Sequence, residues 1–486
     1  MAREVSAAKR GQQDLVSGPI GRTLLLFALP TLGSNVLQSL NGSVNAVWVG
    51  QFLGPRGLAA TSNANLVMFL MFTTVFGFGM AATIIAGQAM GRRDVDAMRR
   101  TLGTAVGLFI ILGVLTVVVG WLAAPALLRM LATPAEVYPL ALAYLRVVFL
   151  AIPPSMVVVL ITMALRSTGD SLTPMWFMVL STVIDCGLNP FLIAGIGPFP
   201  RMGIAGAGMA MLTANYVGLV ALIAYIYARD SVLRLRGPEL RYLIPDPVLL
   251  RTILAKGFPM GLQMLVMSGA SLAMIGLVNR FGTETVAAYG AINQLWSYIL
   301  MPAMAVAAAV SAMAAQNIGA GRWDRIPQIA RAGFSTNLAL TSGLIVALLL
   351  LDRHALALFL GDHQATIDAA RHINLVTSWS FVLFGIGQVY SAVMRANGVA
   401  VVPLVILFVA MFPVRLGLSL LLLPHLGENA LWVSFSAGTA ASLLLTALYY
   451  HYGDWRSAHA MVPGTIEAEE RVLADTEPTG HMKPLS

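Results

Sequence analysis

Asp185 is an acidic residue in the middle of an otherwise apolar run, STVIDCGLNPFLI (residues 181–193). A charged aspartate at the centre of a bilayer costs about 2.5–3.5 kcal/mol even on insertion scales, so it is expected to face a cavity or a partner. A buried carboxyl group also favours its neutral form, because burial penalises the charge. Asp185 is therefore a candidate for binding and releasing a cation. The alternative is a neutral carboxyl group that only hydrogen-bonds a neighbouring helix.

Amide side chains are spaced so that they can surround this carboxyl group. Asp185 and Asn189 are four residues apart and share one helical face, while Gln38, Asn41 and Asn45 share another. If the two faces meet, the amides can orient a carboxylate or ligate a sodium ion. The pattern predicts an ion-coupling site at Asp185, Asn41, Asn45 and Asn189, although each amide alone could be interhelical packing. A single carboxylate favours a proton over sodium as the coupling ion.

The composition is that of a membrane protein. Of 486 residues, 58% are hydrophobic and 11% are charged, and the mean hydropathy is +0.78. About 20 apolar residues are enough to cross a bilayer as a helix, and twelve such stretches predict an all-α protein with twelve transmembrane helices. Their approximate spans are 23–50, 57–88, 101–128, 138–165, 173–196, 203–228, 252–280, 284–315, 330–351, 372–394, 400–424 and 428–450.

The basic residues indicate the orientation in the membrane. Lys and Arg number 22 in the loops and termini on one side and seven on the other, so both termini are expected to be cytoplasmic. The net charge of +8 is thus a topology signal, and no nucleic-acid partner is expected. The seven histidines lie at helix ends, in loops or in the tail, so neither a metal site nor another cofactor is predicted.

The chain contains an internal repeat. Identical residues recur 228 or 229 positions apart: Pro30 and Pro259, Phe52 and Phe281, Gln88 and Gln316, Gly91 and Gly319. An even number of spans in each repeat predicts two pseudo-symmetric six-helix lobes related by an axis along the membrane normal. The predicted segments are a cytoplasmic N-terminus (1–22), the first lobe (23–228), a cytoplasmic linker (229–251), the second lobe (252–450) and a disordered cytoplasmic tail (451–486). Pro30 and Pro259 are predicted hinges, because each removes a backbone donor from its helix.

Polar and basic residues of the apolar stretches are candidate substrate contacts. Arg415 lies in the middle of a span, near the position that the repeat relates to Asp185, and we expect it to face the cleft between the lobes. For each candidate, ordinary packing is the alternative. The predicted substrate-binding residues are Gln38, Tyr289, Asn293, Gln388 and Arg415.

Several motifs resemble those of the multidrug and toxic compound extrusion (MATE) family. They are LPTLGSNVLQSLNGSVNAVWVGQFLGPRGLAA, IIAGQAMGRRD, LRSTGDSLTP and LNPFLI in the first half, and GFPMGLQ, VAAYGAINQ, AAQNIGAGR and MRANG in the second. The resemblance covers roughly residues 20 to 450. It implies two six-helix bundles and export of organic, often cationic or amphipathic, compounds in exchange for protons or sodium ions.

Two departures from the family pattern limit what the resemblance implies. The DinF-like branch has an aspartate where this chain has Asn45, and its fifth-helix Asn and Asp appear here in reverse order as Asp185 and Asn189. The NorM-like branch has carboxylates near the positions of Met267 and Phe384, and neither is present. The polar cluster of the first lobe therefore places the chain nearer the DinF-like branch.

The alternatives to an exporter are a lipid-linked saccharide flippase of the same wider superfamily and an intramembrane enzyme. Flippases of that kind resemble fourteen-helix chains with several buried cations, whereas this chain has twelve predicted spans and one central cation. An intramembrane protease would need a second buried carboxylate or buried histidines. We therefore predict a secondary antiporter for small organic compounds, not an enzyme, that resides in the bilayer of the plasma (bacterial inner) membrane as a monomer.

Overall fold

The computed structural model describes residues 13–131, 133–360 and 363–457, and nearly all of these residues are helical. A helix satisfies its backbone hydrogen bonds within one segment, which the bilayer core demands because it offers no water. The α-helices are α1 (Ile20–Gly91), α2 (Val95–Met130), α3 (Tyr138–Ser167), α4 (Leu172–Ala194), α5 (Ile204–Ala228), α6 (Pro247–Val278), α7 (Thr283–Gly319), α8 (Ile326–Leu360), α9 (Gln364–Thr377), α10 (Ser380–Ala396), α11 (Val401–Val409), α12 (Gly417–Leu426) and α13 (Asn429–Tyr452). The predicted all-α membrane architecture is confirmed.

The first two predicted spans belong to one helical run, α1, which breaks at Gly54. This residue has φ +66° and ψ −164°, outside the helical region and in a conformation that favours glycine. A Cβ placed on Gly50 would lie 3.3 Å from a methyl group of Leu58, although eight residues of straight helix extend about 12 Å. The chain therefore bends sharply between the two halves of α1.

The number of membrane spans differs from a simple count of apolar stretches. Among the described residues, ten helices are long and apolar enough to cross a membrane, or eleven if α9 and α10, bent by 43°, form one span. The predicted eleventh span is interrupted by a π-helical segment, Ala410–Leu416, between α11 and α12. The count of twelve spans remains a prediction, because the second half of α1 does not qualify as a separate long span.

The helices of each repeat pack with one another, and α1 joins the two repeats by packing against α6 and α7. In the first repeat α3 is central, since α1, α2 and α5 all pack against it. Small residues allow the close contacts that helix association in membranes favours: a Cβ on Gly77 would lie 2.4 Å from the carbonyl oxygen of Gly257. The predicted segments 1–22 and 451–486 lie partly outside the described residues, and the predicted lobe boundaries remain predictions.

A pseudo-symmetric pair of hydrogen bonds, here called the glutamine junction, connects the two repeats. Gln88 Nε2 donates to the Ala396 carbonyl oxygen at 2.7 Å, and Gln316 Nε2 donates to the Ser167 carbonyl oxygen at 2.7 Å. Both donors are buried. The two glutamines and the two acceptors are related by the 228–229-residue repeat offset, so each repeat binds the other in the same way.

Glycines allow the helix ends at the glutamine junction to approach closely. A Cβ on Gly91 would lie 2.0 Å from the carbonyl oxygen of Gln316, and a Cβ on Gly319 would lie 2.0 Å from that of Gln88. Real Cβ atoms do not approach oxygen so closely. The recurrence of Gly91 as Gly319 is therefore explained by backbone contact between α1 and α7.

The described part of the N-terminal segment reaches across the same face of the protein. Gln13 donates its backbone N–H to the Gly169 carbonyl oxygen in the first repeat at 3.1 Å. The carbonyl oxygen of Leu15, whose side chain is buried, accepts from Asn317 in the second repeat at 2.9 Å. The segment thus bridges the two repeats beside the glutamine junction.

Candidate ion-coupling site

The side chain of Asp185 lies on α4 and is 4% exposed. Asn41 Nδ2 of α1 donates to Asp185 Oδ2 at 3.0 Å, and Asn189 Nδ2, one turn further along α4, lies 3.5 Å from Asp185 Oδ1. Among the described residues no Lys or Arg nitrogen lies within 4 Å of this carboxylate. The fold therefore brings two of the three predicted amides, Asn41 and Asn189, directly against an unpaired acid.

Oxygen atoms near Asp185 are left without hydrogen-bond partners. Asn45 Oδ1, Asn189 Oδ1 and Thr182 Oγ1 are buried and have none within the described residues. A buried polar atom left unsatisfied costs about 1–3 kcal/mol, so such atoms call for an explanation. Thr182 precedes Asp185 by three residues and shares its helical face. These oxygens are available to accept a hydrogen bond or to ligate a cation.

The two flanking asparagines can serve both protonation states of Asp185. A carboxylate only accepts hydrogen bonds, as Asp185 does from Asn41, whereas a protonated carboxyl group also donates one. The oxygen and nitrogen of an asparagine amide are hard to tell apart by position alone. Rotating the Asn189 amide by a half turn exchanges these two atoms. Asn189 Oδ1 would then stand about 3.5 Å from Asp185 Oδ1, ready to accept from the neutral acid. The arrangement can therefore stabilise Asp185 both with and without a bound proton.

Two features of the site were not foreseen from the sequence. Tyr144 on α3 is 1% exposed and is close enough to Asp185 for a direct electrostatic interaction. Pro190 lies inside α4 immediately after Asn189, and its missing N–H removes the helical bond to the Cys186 carbonyl oxygen. Nothing in the sequence pairs Tyr144 with Asp185, because the contact joins two different helices. Pro190 is visible in the motif LNPFLI and marks a weak turn of α4 beside the acid.

The remaining first-lobe predictions have different surroundings. Gln38 is exposed on α1, and no hydrogen bond between described residues joins it to Asp185. Pro30 is buried within α1, where its carbonyl oxygen accepts from Ser34 Oγ at 3.0 Å, and Pro259 is buried within α6. Both prolines lie inside helices, as their predicted hinge role requires, and that role remains a prediction.

The predicted substrate residues of the second lobe do not form one cluster. Tyr289 is packed in an aromatic core, with its ring stacked on Trp432 at 5.7 Å, and Asn293 is exposed on α7. Gln388 lines a separate small cavity that also contains Arg395. Tyr289, Asn293 and Gln388 therefore have different surroundings, and their contact with substrate remains a prediction.

Arg415 is buried inside the second lobe, in the π-helical segment Ala410–Leu416. Its guanidinium carbon lies 4.1 Å from the centre of the Phe435 ring, a cation–π contact, and its Nε has no hydrogen-bond partner among the described residues. The side chain is 6% exposed. Arg415 thus packs against α13, and its predicted contact with substrate remains a prediction.

Comparison with known proteins decides the family. The sequence profile of the MatE family matches residues 30–191 and again residues 259–421, so the matches begin 229 residues apart, as the repeat does. The chain belongs to the MATE family. MATE proteins are membrane transporters and not enzymes.

This MATE transporter is similar to other bacterial proteins along most of its length. It is 35% identical to the probable multidrug resistance protein YoeA of Bacillus subtilis over 435 residues, which cover 89% of this chain and 94% of the relative. It is 23% identical to the probable multidrug resistance protein NorM of Thermotoga maritima, over 90% of this chain and 93% of that one. The assignment to the DinF-like branch remains a prediction.

The fold is also that of solved MATE structures. The structure of the Vibrio cholerae MATE transporter VcmN superposes with a TM-score of 0.83 at 20% identity, covering 91% of this chain and 98% of that one. At this identity the likeness concerns the fold alone.

Proposed function

We propose that this MATE transporter exports small organic compounds, cationic or amphipathic, in exchange for protons. The names of its relatives, probable multidrug resistance proteins, support the export of small drug-like compounds. The observation that carries the proposal is the burial of Asp185 among Asn41, Asn189 and Tyr144 without a cationic partner in the described residues. An unpaired buried acid destabilises the protein, and within membranes such residues are found mainly at functional sites.

Protonation is the step that would couple the ion to the transported compound. A carboxylate at Asp185 must be stabilised by donors such as Asn41 and by water, whereas the neutral acid can be enclosed among apolar groups. Changing the charge therefore changes which arrangement of α1 and α4 is favoured. The weak turn at Pro190 and the buried Pro30 lie on these two helices and allow them to respond.

Alternating access is the proposed form of the conformational change. Two lobes built from repeats can rock around a central site and expose it to one side at a time. The glutamine junction and the N-terminal segment hold the repeats together at one face. We assign this face to the cytoplasm, since the loops there carry most of the basic residues. The arrangement then corresponds to a state closed to the cytoplasm.

The coupling ion can be tested in inverted membrane vesicles with ethidium, an organic monocation, as probe. We expect accumulation in the vesicles to stop when an ionophore that exchanges K⁺ for H⁺ collapses the pH gradient. Removal of sodium should leave accumulation unchanged, because a proton occupies the site. Accumulation that survives loss of the pH gradient and requires a sodium gradient would reject proton coupling while leaving export intact.

The proposed membrane orientation places both termini and the linker 229–251 in the cytoplasm of a plasma (bacterial inner) membrane. A cysteine introduced by Leu240→Cys in a Cys186→Ser background should react with an impermeant maleimide only after the cells are opened. Arg280→Cys, from a loop assigned to the outside, is the matched control and should react in intact cells. Labelling in the reverse pattern would invert the orientation.

A further inference from the structure

A small cavity inside the second lobe, here called the Arg395 cavity, is bounded by residues of α6, α10, α11 and α13. Its volume is about 30 Å³. One water-sized group needs about 10–15 Å³, whereas sites for organic ligands have about 300–1,000 Å³. The cavity can therefore hold a small ion or water, but it cannot hold an organic compound.

Arg395 is the only charged residue among the described residues that line this cavity. It is 7% exposed, and its Nε is buried without a hydrogen-bond partner. No carboxylate oxygen in the described part of the chain lies within 4 Å of its guanidinium group. A charge removed from water without a partner destabilises a protein. An anion beside Arg395 would offset this cost.

Neutral hydrogen-bond donors line the same cavity. Gln388 and Ser391 of α10 and Ser442 of α13 are among its lining residues, and their side chains form no hydrogen bond with any other described residue. The hydroxyl groups of Thr439 and Thr446, by contrast, donate to carbonyl oxygens one turn back in α13, at 3.0 and 2.6 Å. The free N–H and O–H groups can donate to an anion, whereas Arg395 would repel a cation.

Helical spacing brings these donors together. Gln388, Ser391 and Arg395 are separated by three and four residues, so they share one face of α10. Helix α10 packs against α13, which supplies Ser442 from the other side of the cavity. The cavity therefore lies where the polar parts of two packed helices meet.

We propose that the Arg395 cavity binds one small monovalent inorganic anion of the size of chloride. The guanidinium group donates charge-assisted hydrogen bonds to it, which are stronger than neutral ones. The amide and hydroxyl groups complete the coordination, and the anion neutralises Arg395 inside the lobe. The site shares no residue with the Asp185 cluster, and it does not depend on the proposed exchange of protons for exported compounds.

Thermal unfolding of the purified protein in detergent tests this site, with chloride as the probe. A ligand that binds only the folded state raises the unfolding temperature as its concentration rises. We expect this rise when chloride replaces gluconate at constant ionic strength, because gluconate is too large for the cavity. Bromide should stabilise the protein as chloride does. Equal unfolding temperatures in chloride and gluconate would mean that water fills the cavity, and would overturn the proposal.

Replacing the charged residue tests the binding group. Arg395→Gln should weaken the apparent chloride affinity about tenfold or more, because it removes the charge from the site. Arg166 occupies the repeat-related position of the first lobe, and its Nε is also buried without a partner in the described residues, but it lies outside the cavity. Arg166→Gln is therefore the matched control and should keep the full chloride response. An unchanged response in Arg395→Gln would place the ion elsewhere and contradict the proposal.

A second pair of variants tests the cavity without changing any charge. Gly387 lines the cavity, and a Cβ there would meet nothing nearer than the Leu443 Cα at 3.9 Å, so Gly387→Ala should fold and fill the space with a methyl group. Gly269→Ala adds the same group to α6 outside the cavity, where the nearest atom lies 3.7 Å away. Stabilisation by chloride should be lost in the first variant and kept in the second. This pair decides the question if Arg395→Gln does not fold, and full chloride stabilisation of Gly387→Ala would refute the site.

Discussion

Replacing Asp185 with Asn is expected to abolish accumulation of substrate against a gradient. The amide can keep the hydrogen bond to Asn41 by presenting its oxygen, but it cannot bind or release a proton. Asn is also less costly to bury than a charged Asp, which costs about 2.5–3.5 kcal/mol at the bilayer centre. Abundance in the membrane should therefore not fall. We expect accumulation in inverted vesicles to drop by about tenfold or more, the effect of roughly 1.4 kcal/mol of lost coupling.

Neighbouring residues give this prediction its controls. Asn41→Ala and Asn45→Ala should weaken transport less than Asp185→Asn, because the exchangeable group remains. Asp368→Asn removes an exposed carboxylate of α9 and should have no effect. Full gradient-driven export by Asp185→Asn at equal membrane abundance would mean that the acid is only a packing group.

Adding a methyl group at the glutamine junction is expected to force the cytoplasmic face open. Gly91→Ala or Gly319→Ala would place a Cβ about 2.0 Å from a backbone carbonyl oxygen, so α1 and α7 must separate. The buried hydrogen bonds of Gln88 and Gln316 would then be exchanged for bonds to water, at about 0.5–1.5 kcal/mol each. A combined loss of about 2 kcal/mol changes the ratio of two states roughly thirtyfold. Export should fall because the closed state is no longer populated.

A buried reporter measures this opening directly. Ala315 is 1% exposed and adjoins Gly87 across the interface, so Ala315→Cys in a Cys186→Ser background should react slowly with an impermeant maleimide in nanodiscs. Reaction should accelerate by about tenfold or more when Gly91→Ala or Gly319→Ala is added. Gly42→Ala and Gly290→Ala lie on the same two helices with open space around them, and should leave the rate unchanged. Equal rates in all variants would contradict a closure role for the junction.

Hydrophobic pattern was a sound guide to the helices because the bilayer makes it a strong constraint. Apolar segments must form helices there whatever their neighbours do. The same rule could not show that Gly54 breaks α1, that α9 and α10 bend by 43°, or that Ala410–Leu416 is π-helical. These features depend on packing against other helices. The hydrophobicity of a stretch is the same whether the helix is straight, bent or π-helical.

Part of the candidate site could likewise be predicted from the sequence, and part could not. Asp185 stood out from sequence alone because an acid among apolar residues is rare, and helical spacing placed Asn189 beside it. Its hydrogen bond from Asn41 and its electrostatic interaction with Tyr144 involve residues of other helices. Tyr289 and Asn293 are four residues apart in the sequence, yet Tyr289 lies in an aromatic core near Arg415 and Asn293 is exposed. Periodicity defines a face of a helix, but it does not say what that face meets.

By itself, the sequence determined that this protein is a duplicated, helical membrane transporter of the MATE family, with Asp185 deep within an apolar span of its first lobe. Composition and repeats establish the helices and the duplication, because each depends on local chemistry or on comparing the chain with itself, whereas the family comes from the resemblance of its motifs. Only the tertiary structure decided that Gln88 and Gln316 bond to backbone oxygens of opposite repeats, that Arg415 packs on Phe435, and that Arg395 and Ser442 line one cavity. Those contacts join residues far apart in the chain, and their partners are chosen by the packing of whole helices.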